Sequence, residues 1–170
     1  MGETDTPDSP LLAELQWVHS MVRQDLQTCT DLANAVAGGA PASYVHTELA
    51  SLQTSRPLFQ LRISCLRYCA FVHSHHAAED VALFPAVRRA APGMAAVVDK
   101  LEADHRAVSA LLDQVEELAE DLDHQGARAA IVIALTTLST DLLQHLEFEE
   151  EALEPVLNSW ERWPEPSDRS

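Results

Sequence analysis

Two histidine–glutamate pairs with the same spacing are the residues of this sequence best suited to chemistry. His75 and Glu79 lie in the stretch HSHHAAEDVALFP, and His145 and Glu149 lie in HLEFEEEALEP. Residues four apart lie on one face of an α-helix, so each pair presents an imidazole beside a carboxylate. Nitrogen and oxygen ligands without a thiolate suit iron or manganese more than a structural zinc ion.

Two further histidines, His19 and His105, stand in the segments that precede the two pairs. A single histidine in an apolar segment is more often a satisfied core residue than a ligand, and a single pair can lie on a solvated face. The conjunction of all six residues is what predicts a metal site, because each of them falls on the core-facing side of a predicted helix.

Four helices must position these residues. Ser9 followed by Pro10 is typical of a helix start, and Gly38-Gly39 is typical of a helix end. Further boundaries at Pro57, Pro92-Gly93 and Gly126 predict helices over about 10–37, 57–90, 94–124 and 127–158. In each one, apolar residues recur at alternating steps of three and four, the seam of a bundle helix.

The short second and third connections predict an all-α, up-down-up-down four-helix bundle. At ~1.5 Å per residue, the six polar seam residues then lie within roughly one or two turns of the same depth. Carboxylates buried together without partners would repel each other and take up protons. Cations between them remove both costs, and two glutamates bridging two ions is the natural arrangement.

Outside the bundle, we expect residues 1–9 to be a disordered lead-in and residues 159–170 a flexible tail, with Trp160 and Trp163 folding back onto the helices. Residues 38–56 predict a long connection, with one short helix around 45–53 and an exposed His46. A spanning loop is favoured over a lid there. Pro85 is expected to bend the second helix or loosen its last turn.

Composition excludes several classes of partner. The formal net charge of −16 over 170 residues disfavours nucleic acid and anionic membranes. No apolar run reaches the ~20 residues that span a bilayer, and the acidic N-terminus is not a secretory signal. Three cysteines without CxxC spacing predict buried, reduced thiols. We therefore expect a cytoplasmic protein.

The order of a lone histidine, HxxxE followed by LFP, a second lone histidine after an acidic residue, and a second HxxxE resembles the hemerythrin-like (HHE cation-binding) family. The resemblance covers about residues 11–158. It implies a four-helix bundle around a non-haem di-iron centre with an oxo or hydroxo bridge. On the matching positions, the terminal ligands would be His19, His75, His105 and His145, and the bridges would be Glu79 and Glu149.

The sequence departs from the oxygen-carrying hemerythrins at two positions. Those proteins have a second histidine one turn after the third-helix ligand, where this chain has Ser109. They have an aspartate five residues after the fourth-helix histidine, where this chain has Glu150. The pattern H–HxxxE–H–HxxxE is similar to the bacterial hemerythrin-like branch, and a site poorer in histidine favours reaction over simple oxygen carriage.

Several neighbours of the six residues are left with alternative roles. Tyr68 lies two turns before His75 on the same seam and is either a core tyrosine or a residue whose phenol reaches the metals. His73 and His76 flank the seam and are expected to face solvent or a neighbouring helix. Three carboxylates could orient the second nitrogen of a ligand histidine: Glu102, Asp104 and Asp141.

Two main functional hypotheses follow. One is redox chemistry with O2, peroxide or nitric oxide at a carboxylate-bridged di-iron site. The other is a module that senses or stores oxygen, nitric oxide or iron without turnover. A metal-stabilised structural bundle is a third and weaker reading.

Overall fold

The computed structural model describes residues 9–38 and 47–165, with side chains described from residue 56 onward in the second part. The helices are α1 (Pro10–Ala37), α2 (Thr47–Ala78), α3 (Phe84–Ala90), α4 (Ala95–Glu120) and α5 (Gln125–Leu157). A π-helical turn over Glu79–Leu83 joins α2 to α3, and a 3-10 turn over Pro92–Met94 joins α3 to α4. The described residues contain no strand, so the predicted all-α class is confirmed.

The helices form a closed ring of four arms, in which α2, the π-helical turn and α3 count as one arm. α1 packs on α2 and α5, and α4 packs on α2 and α5. Neighbouring arms run in opposite directions. The start of α1 meets the end of α5 through the Ser9 N–H and Asn158 Oδ1, at 3.1 Å. The Arg62 side chain, in the first half of the arm that begins at Thr47 and ends at Ala90, donates to the carbonyl of Ala119 at the end of α4. This is the predicted up-down-up-down bundle.

The first helix begins and ends where its capping residues predict. The Ser9 side chain accepts a hydrogen bond from the Leu11 N–H at 3.2 Å, and Pro10 occupies the first turn, where its missing N–H costs nothing. The C-cap is Gly38. The Leu, Val and Ala positions of the predicted seam are buried through Ala33.

The second helix begins ten residues earlier than predicted. α2 starts at Thr47, and Pro57 lies inside it. The prediction relied on the preference of proline for the first turn, but an internal proline is tolerated when the rest of a long helix offsets its cost of about 3 kcal/mol. The predicted 38–56 connection is shortened accordingly. The predicted short helix merges into α2 where it is described, and His46 lies outside the described residues.

Two other helix boundaries also differ from the prediction. α4 ends at Glu120, not at His124, and α5 begins at Gln125, before Gly126. Asp121 and His124 close a turn between them through the His124 N–H and the Asp121 carbonyl, at 3.0 Å.

Pro85 loosens the helix as expected, and the structural form of this change is the π-helical turn. In this turn the Phe84 N–H donates to the carbonyl of Glu79, five residues back. Pro85 has no N–H to donate, and in a regular helix its ring would clash with the carbonyl four residues earlier. The extra residue rotates the following segment, so Leu83 and Phe84 are buried, whereas Ala82 is only partly buried.

The apolar core is divided into two clusters of buried residues. One cluster runs from Val22 and Val72 to Ala33 and Leu122, at the end of the bundle where α1 and α4 end. The other surrounds Leu15, Phe84 and Leu153 at the opposite end, where Trp160 and Trp163 pack against it. Helix α5 is long and apolar enough to span a membrane, a test that the core helix of a bundle also passes. Between the two clusters lies a layer of histidines and glutamates.

Candidate metal centre

The six residues predicted as ligands converge in this layer. Each helical arm contributes to it: α1 provides His19, α2 and the π-helical turn provide His75 and Glu79, α4 provides His105, and α5 provides His145 and Glu149. Five of the six are buried to 5% exposure or less. The side chain of His75 is 12% exposed and is the most accessible of the set.

Glu79 lies between two groups of histidines. Its Oε1 is 3.1 Å from His75 Nε2 and 4.0 Å from His19 Nε2. Its Oε2 faces the other way and is 3.4 Å from His105 Nε2. One carboxylate with an oxygen toward each group is the arrangement that bridges two cations.

Glu149 is the second carboxylate between the groups. Its Oε2 lies 3.6 Å from His19 Nε2 and 3.5 Å from His145 Nε2. The His19 and His75 rings are 5.2 Å apart, and the His105 and His145 rings are 4.7 Å apart. The centre therefore has two histidine pairs with two carboxylates between them.

The polar atoms that face this space have no hydrogen-bond partner among the described residues. They include the Nε2 atoms of the histidines and all four carboxylate oxygens of Glu79 and Glu149. A buried polar atom without a partner costs about 1–3 kcal/mol, and more when it is charged. So many orphaned nitrogens and oxygens converging at one depth fit a metal centre, since metal–ligand bonds would satisfy all of them.

Burial shifts the pKa values of these groups in the directions that favour their neutral forms. Desolvation lowers the pKa of His19 to about 2 and those of His75, His105 and His145 to about 4. Desolvation and the neighbouring carboxylates raise the pKa of Glu79, and raise that of Glu149 to about 8. Without cations the histidines are neutral at pH 7 and the glutamates hold protons. Neutral imidazoles are ready to bind metal, but the glutamates must lose their protons first.

Two carboxylates orient ligand histidines, and both come from another helical arm. Glu150 Oε1 accepts the Nδ1–H of His19 at 2.8 Å and also binds Arg23 at 2.9 Å. Asp80 Oδ1 accepts the Nδ1–H of His105, also at 2.8 Å. Each bond leaves the lone pair on Nε2, which points at the glutamates. Neither residue was predicted for this role, although each directly follows one of the two glutamates of the centre.

The three carboxylates that were predicted to orient a ligand histidine do not form such a hydrogen bond. Asp104 Oδ2 is 3.6 Å from His145 Nδ1, beyond hydrogen-bonding distance, and is paired with Lys100. Glu102 pairs with Arg88 at 3.0 Å. Asp141 is exposed. In the described part of the chain, none of the three therefore makes a hydrogen bond to one of the predicted ligand histidines, and Asp104 is the one that comes near.

His76 faces a neighbouring helix, one of its two expected surroundings, and at 4% exposure it lies inside the centre, with its ring stacked on that of His105. A helical seam is broad enough to hold two adjacent residues, and the HxxxE spacing alone selected His75. His73, by contrast, lies at the edge of the bundle, 3.2 Å from Asp113 on α4.

Tyr68 is buried in the apolar cluster next to the centre, and its hydroxyl has no partner among the described residues. Burial raises its phenol pKa above the usual value, and Cys29 and Cys69 raise it further. It lines a cavity with Cys29 and Phe71 that is separate from the histidine layer. The contact between its phenol and the metals stays a prediction. All three cysteines are buried free thiols.

A second cavity lies directly beside the centre. It has a volume of about 340 Å³ and touches both His75 and Glu79. Its walls are mainly apolar and include Leu15, Val18, Ala82 and Leu83. The tail residues Trp163 and Pro164 form its remaining side, and Trp163 Nε1 donates to Glu14 there. A small apolar molecule in this cavity would lie next to the His75 side of the centre.

Comparison with known protein families finds one model that matches most of the chain. The hemerythrin HHE cation binding domain matches residues 11–157, a span that contains all six predicted ligands and His76. Neither the curated proteins nor the solved structures include a match to this chain.

Proposed function

The chain belongs to the hemerythrin HHE cation-binding family, and from this premise we propose that its centre holds two iron ions and binds or reduces a small oxidant. The observation that carries the proposal is the Glu79 carboxylate, whose oxygens face different histidines, His75 and His105. A single ion would use one of these groups and leave the other unsatisfied.

The donor set supports iron. Histidine nitrogens and carboxylate oxygens, with no thiolate among the converging groups, favour iron or manganese over structural zinc or Cu(I). Iron in such a site supplies electrons and coordination positions that O2, peroxide or nitric oxide can occupy. The protein supplies the rest: Glu79 and Glu149 hold the ions together, and Glu150 and Asp80 fix the tautomer of two ligand histidines.

The cavity supports a small oxidant as the reacting molecule. Its mainly apolar walls give few hydrogen bonds to a polar metabolite, whereas O2 and nitric oxide need none. Because the two apolar clusters seal the centre from both ends of the bundle, water is excluded from most of its surface. His75 is the ligand that meets the cavity.

A second candidate function is sensing or storage without turnover. It is favoured by the same cavity walls, because reduction of O2 or peroxide consumes protons and the apolar residues beside His75 deliver none. Among the described residues, Glu14, held by Trp163, is the one acid on the cavity wall apart from Glu79. The two functions therefore differ in proton supply, and turnover measurements separate them.

The test begins with metal analysis and the absorption spectrum of iron-loaded protein. We expect two iron ions per chain and the near-ultraviolet and visible bands of a bridged di-iron centre. Well under two ions per chain would remove the di-iron proposal. Replacement Glu79→Ala should lower the iron content, whereas Glu147→Ala, at an exposed position of α5, should leave it at two.

Reactivity is tested on the loaded wild-type protein. Fast peroxide turnover that is lost in Glu79→Ala supports the oxidoreductase and argues against a passive module. Reversible spectral changes with O2 or nitric oxide, without turnover, support sensing or storage. A spectrum that changes with none of the three molecules, in either redox state, contradicts both functions.

A further inference from the structure

His76 is a fifth histidine inside the centre, supplied by the same helix as His75. Its ring stacks on His105 at 3.9 Å with the planes 9° apart, and meets the His145 ring edge-on at 5.3 Å. Its distance from the His75 ring is 5.7 Å. His76 thus belongs with the α4–α5 pair of histidines.

The polar atoms of His76 indicate a ligand and not a satisfied core residue. Its side chain is 4% exposed, and its Nε2 has no hydrogen-bond partner among residues 9–38 and 56–165. One nitrogen each from His76, His105 and His145 lie within 4.8 Å of one another. Three imidazole nitrogens this close together can bind a single transition-metal ion when the stacked His76 and His105 rings turn their lone pairs toward it.

We propose that His76 binds the same ion as His105 and His145, so that this ion has three imidazole ligands and the other has two, His19 and His75. This inference rests on the two-ion centre proposed above. It corrects the expectation, drawn from Ser109, that the centre is poor in histidine. Ser109 Oγ instead faces His73 Nδ1, at 3.5 Å on the outer side of α2.

The uneven distribution of histidines has a consequence for reactivity. The ion with three imidazoles and two bridging carboxylates has few positions left for an outside molecule. The ion at His19 and His75 has one nitrogen fewer, and it is on this side that the cavity touches His75 and Glu79. The open position and the cavity therefore coincide.

The first experiment compares His76→Gln with the matched control His73→Gln, one turn earlier on α2. Cobalt(II) is titrated into each folded protein in competition with a chelator, and the visible absorption of the bound ion is recorded. We expect His76→Gln to weaken the binding of one ion by at least about tenfold and to change its cobalt spectrum. His73→Gln should match the wild type. Unchanged affinity and spectrum in His76→Gln overturn the assignment.

A second measurement needs no variant and decides the question even if His76→Gln does not fold. Wild-type protein with ¹⁵N-labelled histidine is loaded with ¹¹³Cd²⁺, and imidazoles whose nitrogen couples to cadmium are counted by NMR. Coupling at the assigned His76 imidazole supports its assignment as a ligand, and coupling at His19, His75, His105 and His145 without His76 overturns it. The number of cadmium ions bound is counted separately. A single bound ion would contradict the two-ion centre, while coupling at His76 would still identify it as a ligand.

Discussion

At the scale of single residues, ligand geometry depends on carboxylates that bind no metal. Glu150 and Asp80 each accept an Nδ1–H from a histidine on another helical arm, which leaves Nε2 free to face the centre. Arg23 binds the same oxygen of Glu150, Oε1, at 2.9 Å. In the oxygen-carrying hemerythrins an aspartate occupies the Glu150 position; here the side chain orients His19.

Removing the Glu150 carboxylate should weaken metal binding on one side of the centre. Without an acceptor at Nδ1, His19 can rotate or take the other tautomer, and the loss of such a partner typically costs 10–100-fold in metal affinity. We expect a loss of about this size in Glu150→Ala, measured by chelator competition. Glu151→Ala, at the exposed neighbouring position, is the control. Equal affinities of the two variants would contradict the role of Glu150.

At the scale of elements, the π-helical turn shapes one side of the centre. Glu79 is its first residue and Asp80 its second, so both carboxylates project from backbone that departs from the regular helix. The turn also brings Leu83 and Phe84 into the core, and the Phe84 ring packs on His105 at 5.0 Å. Turns of this type recur at functional sites, and here Pro85 provides the local cause.

The tail controls access to the cavity at this same scale. Because Trp163 closes one side of the cavity beside His75, we expect Trp163→Ala to speed the reaction of the loaded centre with azide or peroxide by several-fold, with metal content unchanged. Stopped-flow absorption measures the rate. Trp160→Ala is the control, since Trp160 packs on the same apolar cluster without lining the cavity. Identical rates in both variants would argue for another path.

At the scale of the whole molecule, the polar layer lies across the middle of the core. It separates two apolar clusters that bury most of the Leu, Val and Ile side chains of the bundle. Without cations this layer holds neutral histidines and protonated glutamates whose polar atoms lack partners within the described structure. The stability of the protein should therefore depend on metal and on pH.

We expect the metal-free protein to be most stable near pH 6.5. In the folded state the pKa values of these histidines are lowered to about 4 or less. Below pH 6.5 the unfolded chain therefore binds protons on these histidines that the folded protein does not bind, and stability decreases as the pH is lowered. The two glutamates change stability with pH in the opposite direction, but they are fewer than the histidines, so the effect of the histidines dominates below pH 6.5. Above pH 6.5 the folded state keeps protons that the unfolded glutamates have lost. Stability then falls as pH rises toward about 8, the pKa of Glu149.

Cations should remove the alkaline part of this dependence, because they replace the protons between the glutamates. Free metal at 100 times its Kd should add about 2.7 kcal/mol to the free energy of unfolding. Urea unfolding of metal-free and loaded protein at pH 5.5, 6.5, 7.5 and 8 measures both effects. A pH-independent stability of the metal-free protein would contradict the burial of these groups as neutral species.

Patterns in the amino-acid sequence were sufficient to predict the four arms of the bundle and the convergence of the six residues proposed as ligands. The hydrophobic period of about 3.6 residues depends on local spacing, so it determines which face of each helix is buried. Ser9 and Gly38 mark the ends of α1 for the same local reason. The family assignment also follows from these spacings, while the bacterial branch stays a prediction.

Only the packing of the arms selected the remaining parts of the centre. His75 and His76 both border the seam of α2, and the positions of α1, α4 and α5 give the two rings different neighbours. Glu150 is paired with His19 across 131 residues of sequence, and Asp80 with His105 across 25. Contacts between separate helices depend on the rotation and depth of one helix relative to another. The hydrophobic periodicity of a single helix does not determine these quantities. The tertiary structure therefore added a fifth histidine to the centre and distributed the five unequally.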